Sequence, residues 1–421
     1  MSFNISLTGV NSASKDLETT SNNLSNAGTT GFKESRAEFN DLFAMGPMGI
    51  SQLGIGQGSR LANVGQMFSQ GSFEFTERSL DLGIEGKGFF RLEEEGGEVS
   101  YTRAGQFEVD RDGYIVNNTG KRLTGFETDA DGNRVGDGRE HLRLPTEGIS
   151  AKATEEMGLS ANFDADAEAI DEEAAFDPED NETYHESTTT TVYDSQGTAR
   201  DATFYFRKVD DNEWDVYTQV EGADYEGAET ETAGEEGNVF GPHRLSFDNS
   251  GSLREDEGDG SSMGLETPLR AEVDDLDIEV DFTETTQSAR PFNMTDVSQD
   301  GHEAGEFQNV SVDNDGTIQA RYSNGETQAV GQVGLTSFPA EEQLQSAGET
   351  SWKATADAGE PLIGVPGQGK FGRIENGALE QSNVEVSEQL VDMIKAQRNY
   401  SANAKMISTQ DQVTQEILNI R

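Results

Sequence analysis

Two stretches at opposite ends of the chain carry its clearest periodicity. From Val386 to Arg421 there is no Gly and no Pro, and apolar or small residues fall at Val386, Leu390, Met393, Tyr400, Ala404 and Ile407. The steps are three, four or seven, and the pattern resumes with a shift of phase at Val413, Ile417 and Ile420. This spacing predicts a helix of about 54 Å with a coiled-coil stripe that has one discontinuity. Gln397 sits on the stripe and Asp411 lies beside it. At the other end Phe3, Leu7, Val10, Ala13, Leu17, Thr20, Leu24 and Ala27 repeat the same steps, interrupted only by Gly9. One such stripe would suit an amphipathic helix on a globular core. A narrow stripe at each terminus predicts helices that finish burying themselves against other chains.

Between the termini the period changes from helical to alternating. Phe73–Phe75, Leu80–Ile84, Phe89–Leu92, Gln106–Val109 and Tyr114–Val116 read as short strands, with Asp112-Gly113 and Asp131-Gly132 as hairpin turns. Thr188–Val192, Asp201–Lys208 and Trp214–Val220 read as strands of a second body, with turns at Asp194–Gly197 and Asp210–Asn212. Gly222–Gly237 has almost no large apolar residue and reads as an exposed loop. Strands resume at Val310–Ile318 and Val330–Leu335. The expected fold class is α+β, with terminal coiled-coil helices and two mainly-β domains nested by insertion. Its parts are an N-terminal helix (1–30), a Gly-rich linker (31–70), a split inner β domain (71–145 and 289–360), an acidic inserted outer β domain (146–288), a Gly- and Pro-rich linker (361–380) and a C-terminal helix (381–421).

Composition sharpens this division. The 421 residues suffice for several domains, while 33% apolar content and 47 Gly favour strands and modest cores over one large core. Residues 1–80 carry a net charge of −2 and residues 381–421 of −1, which leaves −47 of the total −50 in the middle. So negative a chain is a poor ligand for nucleic acid or an anionic membrane surface. No stretch is apolar enough for a membrane span. At about 1 M salt the screening length falls to about 3 Å, so this charge density fits a halophile's brine or an extracellular setting. Near-neutral ends suit burial together, and the charged middle suits solvent.

Candidate chemistry is sparse. With no Cys there is no thiol nucleophile or Cys-ligated metal, and His141, His185, His243 and His302 share no ligand spacing. Leu53-Gly54-Ile55-Gly56-Gln57-Gly58 lacks the Gly-Lys-Ser/Thr ending of a phosphate-cradling loop. Asp129, Asp131, Asp313 and Asp315 occupy two positions of a calcium loop, but the twelfth positions are Gly138 and Tyr322 rather than Glu, so these loops are expected to be β-turns. No catalytic residue and no cofactor is expected. The start MSFNISLTGV has neither the basic nor the apolar region of a cleaved secretory signal.

The motifs flanking the two helices are more specific. Asn22-Asn23-Leu24-Ser25-Asn26 followed by Thr30-Gly31-Phe32-Lys33 resembles the amino-terminal motif of the bacterial flagellar rod and hook protein family. Gly377–Val384, with Ser382 and Asn383, and then Gln397-Arg398-Asn399-Tyr400 resemble the family's closing motif. Arg78–Leu82, Gly86–Phe90 and Tyr101–Phe107 resemble its β-rich inner domain, and Thr191–Gly197 up to Trp214 the outer domain of its hook members. The resemblance implies a self-assembling subunit of a tubular helical homopolymer in the extracellular flagellum, exported without a cleaved leader. It implies as partners other copies, rod, hook-cap and hook–filament junction proteins, and the flagellar type III export gate. Phe39 and Phe43, in Phe39-Asn40-Asp41-Leu42-Phe43, resemble the family's export signal. The assembly residues expected are Val10, Leu17, Leu24, Val386, Leu390, Met393, Tyr400, Ala404, Ile407 and Ile417. The insertion at 146–288 favours a hook-type over a distal-rod-type subunit. The alternative from another class is a secreted acidic calcium-binding adhesin.

Overall fold

The computed structural model describes residues 2–42, 56–130, 132–136, 138–171, 174–223, 232–233, 239–269 and 274–419. Its contacts divide into two compact units. The first comprises Met1–Thr146, Asn309–Arg321 and Thr327–Arg421, and the second Glu147–Gln308 with Tyr322–Glu326.

The first unit begins with helix α1, Ser2–Ser25. It stops where Asn26, Ala27 and Gly28 replace helix formers, and the Asn26 amide bonds back to the Asn22 carbonyl at 3.1 Å. The stretch expected to be a linker then departs from expectation. Ser35–Asp41 (β1) and Ser59–Gln66 (β2) form an antiparallel ribbon running from Ser35 opposite Gln66 to Asp41 opposite Ser59, with a bulge at Glu38/Phe39. One ribbon face is half-buried, and the Ser59 hydroxyl meets that of Ser12 at 2.9 Å. The other face shows Arg36, Glu38, Asn40, Arg60 and Asn63 to solvent. Short alternation inside Gly-rich flanks hid these strands from the sequence reading. Leu53, Gly54 and Ile55 of the phosphate-loop candidate, like Phe43, lie outside the described residues.

Behind the ribbon, a sheet of thirteen strands among the described residues closes over Leu82, Phe90, Leu92, Phe107, Ile115, Leu123, Ile318, Val333, Leu335 and Ile374. A smaller aromatic core gathers Phe89, Tyr101, Phe338 and Trp352, with Phe68 edge-on to both Phe89 and Trp352. Residues 361–380, also expected to be linker, carry three strands. Leu362–Gly364 pairs with Leu335–Ser337, Arg373–Asn376 with Leu82–Glu85, and Ala378–Glu380 with Phe73–Phe75. The Gly and Pro residues here punctuate strands. Helix α2, Val386–Asn419, follows the last of these strands.

Among the described residues the second unit has two sheets that enclose its main core, with a smaller aromatic cluster of Phe176, Tyr205, Tyr217 and Val239 beside it. A meander of Glu186–Tyr193, Ala199–Asp210, Glu213–Val220 and Val239–Phe247 forms one. In the other, Glu156–Asp164 is central, flanked by Leu276–Asp281, Thr286–Ser288 and Asn293–Gln299. Strict alternation in Glu156–Asp164 and Leu276–Asp281 turns Leu159, Phe163, Ile278 and Val280 inward. They meet Phe204, Phe206, Trp214, Val216 and Leu245 from the meander, and Phe163 lies 4.7 Å from Trp214 between ring centres. Asn293–Gln299 belongs to this unit, so it extends past the expected boundary at 288. That strand is mostly exposed, and its Asn-Met-Thr-Asp-Val-Ser-Gln sequence gives little apolar signal. The expected loop at 222–237 lies mostly outside the described residues.

One turn recurs in both units. The side-chain oxygen of Asp110 accepts from the amides of Asp112 and Tyr114, that of Asp194 from Gln196 and Thr198, and that of Asp248 from Ser250 and Ser252, at 2.7–3.0 Å. Asn117 does the same for Thr119 and Lys121. In each case a glycine three residues on takes a positive φ, as Gly113 does at 86° and Gly197 at 78°. Asp129 and Asp315 likewise accept amides of their own loops. These carboxylates therefore act as turn acceptors, and Asp131 lies outside the described residues.

Candidate functional site

The two terminal helices pack antiparallel. Gly9 lies opposite Asn403, and a Cβ added to it would come within 2.7–2.9 Å of the Asn403 amide group. Two heptads further along both helices, the buried Asn23 amide donates to Gln389 Oε1 at 3.1 Å. The α1 side of this seam is Ser6, Gly9, Ala13, Asp16, Thr20 and Asn23, and among the described side chains of α2 Gln389 and Ala396 are the buried ones. The seam is thus small and polar, and Gly9, the apparent interruption, leaves room for the Asn403 side chain.

The apolar stripes read from the sequence lie beside this seam. Val10, Leu17, Leu24, Met393, Ala404 and Ile407 are half-buried. Val386, Leu390 and Tyr400 are exposed, Leu390 by 44%, as are Val391, Ile394, Met406, Val413 and Leu418 on the rest of α2 and Phe3 and Leu7 on α1. In the free chain these residues do not seal the helix pair. Close helix approach selects small residues, and the large ones are left turned outward. The side chain of Ile417 lies outside the described residues.

Asp16 sits in the seam next to the turn that carries Asp392. Burial, and then the Asp392 charge, push its carboxyl above the usual range. Asp392 itself bonds to Lys395 at 2.7 Å on the exposed side. The folded pair therefore holds a proton on Asp16 more tightly than the unfolded chain does, and its stability falls as pH rises through the range just above an ordinary carboxylate pKa. Asp16→Asn is expected to stabilise the helix pair at neutral pH by a few tenths to about 1 kcal/mol and to flatten this acid dependence. Helical circular dichroism followed on heating at pH 4 and pH 7 measures both effects.

Where the helices leave the β body, the motif residues meet in a polar clasp. Asn23 donates to the Ser35 carbonyl at 2.8 Å and accepts its amide at 2.9 Å. Gln389 donates to Glu34 Oε1 at 2.8 Å, and the Glu34 amide donates to Asn383 Oδ1 at 2.8 Å. Asn383 in turn donates to the Met67 carbonyl and the Ser69 hydroxyl, both at 2.8 Å. Beneath lies an ionic triad whose side chains are at most 2% exposed. Lys33 Nζ bonds to Glu380 Oε1 at 2.7 Å and to the Ser69 carbonyl at 2.8 Å. Arg103 reaches Glu380 Oε2 at 3.4 Å and the Gly86 carbonyl at 2.9 Å, over the face of Phe89. Burial pulls Lys33 and Arg103 below their ordinary ranges, and Glu380 pulls both back. The Gly71 amide donates to Glu380 Oε1 and the Gly31 amide to the Glu380 carbonyl.

The structure thus brings Asn23, Gly31, Lys33 and Asn383 together. Ser382 is buried beside them and accepts the Val384 amide, while Phe32 and Asn26 are half-buried. Asn22, Gln397, Arg398 and Phe39 are exposed and take no part in the clasp. Arg103, Glu380 and Gln389 were missed as site residues. Glu380 lies within the Gly377–Val384 motif and Arg103 within Tyr101–Phe107, but neither motif marked a buried ion pair, and Gln389 is an uncharged residue of α2 with no signal of its own. Among the described residues no group of three or more metal-ligating side chains is close enough to hold an ion, and no helix is long and apolar enough to cross a membrane.

Four family models align along the chain in order and define an axial protein of the bacterial flagellum. They are the flagella basal body rod protein (residues 3–33), the flagellar hook protein FlgE/F/G D1 domain (83–158), the flagellar basal body protein FlaE D2 domain (162–302) and the flagellar basal body rod FlgEFG protein C-terminal region (375–420). Flagellar hook protein FlgE of Salmonella typhimurium is 34% identical over 424 residues, with all of both chains covered, and that of Escherichia coli K12 is 34% identical over 425. The chain belongs to the flagellar hook protein family. The crystal structure of Helicobacter pylori flagellar hook protein FlgE2 shares the fold, with a TM-score of 0.54 at 15% identity, covering 73% of this chain and all of that one.

Proposed function

We propose that this chain, a structural subunit of the flagellar hook, polymerises through its terminal helices into an inner tube, with its β-rich units outside that tube. The observation that carries this reading is the set of large apolar residues that the chain's own helix pair leaves uncovered, from Leu7 to Leu418. Heterologous contacts repeated between copies build an open-ended helical polymer. The near-neutral charge of both termini allows many copies to pack closely, while the −47 of the middle keeps the outside solvated. The subunit would meet rod, hook-cap and hook–filament junction proteins at the ends of the tube. It would reach them through the flagellar type III export gate with Phe39 and Phe43 as the signal. Phe39 is exposed on the ribbon, which suits recognition before assembly.

Antibody-gold labelling of detached flagella from the source cells, with antibody against residues 146–288, tests the placement. Label on a short curved segment beneath the filament is expected. Label on the straight rod, or none on the flagellum, would refute it.

A further inference from the structure

The Gly-rich stretches on either side of the β body invite reading as hinges, but the clasp sits across both of them. We propose that Glu380 is the positioning residue of a rigid coupling that makes the helix pair and the β sheet of the first unit turn as one piece. This rests on the hook-subunit reading, and it moves bending away from residues 31–70 and 361–380 to the contacts between copies.

Three separated parts of the chain end on one carboxylate. Lys33 arrives from the end of α1, Gly71 from the end of the ribbon and Arg103 from the sheet, and Glu380 itself stands six residues before α2. The glycines at this point serve close approach. Gly31, at φ 70°, lies against the backbone of Ala104, and a Cβ on Gly71 would collide with the Gln381 carbonyl. A hinge here would have to pull Glu380 away from two buried cations, leaving both charges uncompensated. The second ring of bonds, Asn23–Gln389–Glu34–Asn383–Ser69, spans the same joint and would break in the same motion. Torque entering through the helices therefore passes to the sheet through a fixed joint.

The test compares the full-length wild type with Glu380→Gln, which keeps the shape and removes the charge, and with Arg103→Met, which frees the sheet but keeps Lys33 on Glu380. Amide hydrogen exchange is followed in the free chain, and bending and twisting fluctuations are measured in assembled tubes. Glu380→Gln is expected to speed exchange in α1, α2 and the ribbon about a hundredfold, with Phe204–Val216 of the second unit unchanged. Its tubes should be softer. Arg103→Met should leave helix exchange near wild type and still soften the tube, a split that a merely stabilising role would not produce. Unchanged exchange in Glu380→Gln overturns the coupling even if that variant forms no tubes, and tubes of wild-type stiffness from both variants overturn it too. Failure of the wild-type chain to form tubes would instead strike the hook-subunit reading.

Discussion

A chain truncated after Glu385 is expected to form no tubes at any protein concentration, yet to keep both β-rich units folded. The cores around Phe90 and Leu335 in the first unit and around Phe163 and Trp214 in the second draw no residue from α2. Their melting should therefore survive the deletion. What disappears is the partner of α1 and most of the uncovered apolar surface, including Val391, Ile394, Met406 and Leu418. Each such side chain contributes roughly 1.5–3 kcal/mol when fully buried, so losing them all leaves nothing to hold copies together. Thermal circular dichroism and electron microscopy of the truncated chain measure the two halves of this expectation. Normal tubes would show that the helices are dispensable.

Leu390→Asp separates assembly from folding in a single residue. Leu390 is 44% exposed and lies beside the helix seam, so the free chain should lose no more than about 0.5 kcal/mol. In a tube the same position would carry a carboxylate into an apolar contact repeated at every subunit. Desolvating it costs at least about 1–3 kcal/mol per contact, enough to lower the yield of tubes tenfold or more. Sedimentation of assembled material against the melting point of the free chain reads both quantities. A variant that melts early but assembles normally would mean that Leu390 serves the chain's own packing.

The C-terminal helix was legible because a run of 36 residues free of Gly and Pro leaves few alternatives, and the N-terminal one because its apolar steps continue across Gly9. Which face they use on each other was not. Periodicity reports where apolar side chains lie, whereas the seam is chosen by how closely two backbones approach, and that puts Gly9, Ala13 and Ala396 inside. Dense runs of aromatic and β-branched residues made Asp201–Lys208 and Trp214–Val220 readable, while the exposed strand Asn293–Gln299 and the ribbon in its Gly-rich surroundings gave too little contrast. The clasp was the least visible part. Lys33 and Glu380 each lie in a motif noticed in the sequence, but 347 residues separate them, and among 80 acidic side chains one carboxylate gives no sign that it is buried.

The recurring turn changes what the charge of −50 means. The carboxylates of Asp110, Asp194 and Asp248 are each held by two peptide N–H groups of their own loop. Their charge is solvated by the backbone whatever the surrounding medium contains. Part of the acidity is thus wiring that the hairpins require and would be kept in fresh water. Only the remainder, on outward-facing Glu and Asp, is free to record the salinity in which the protein works.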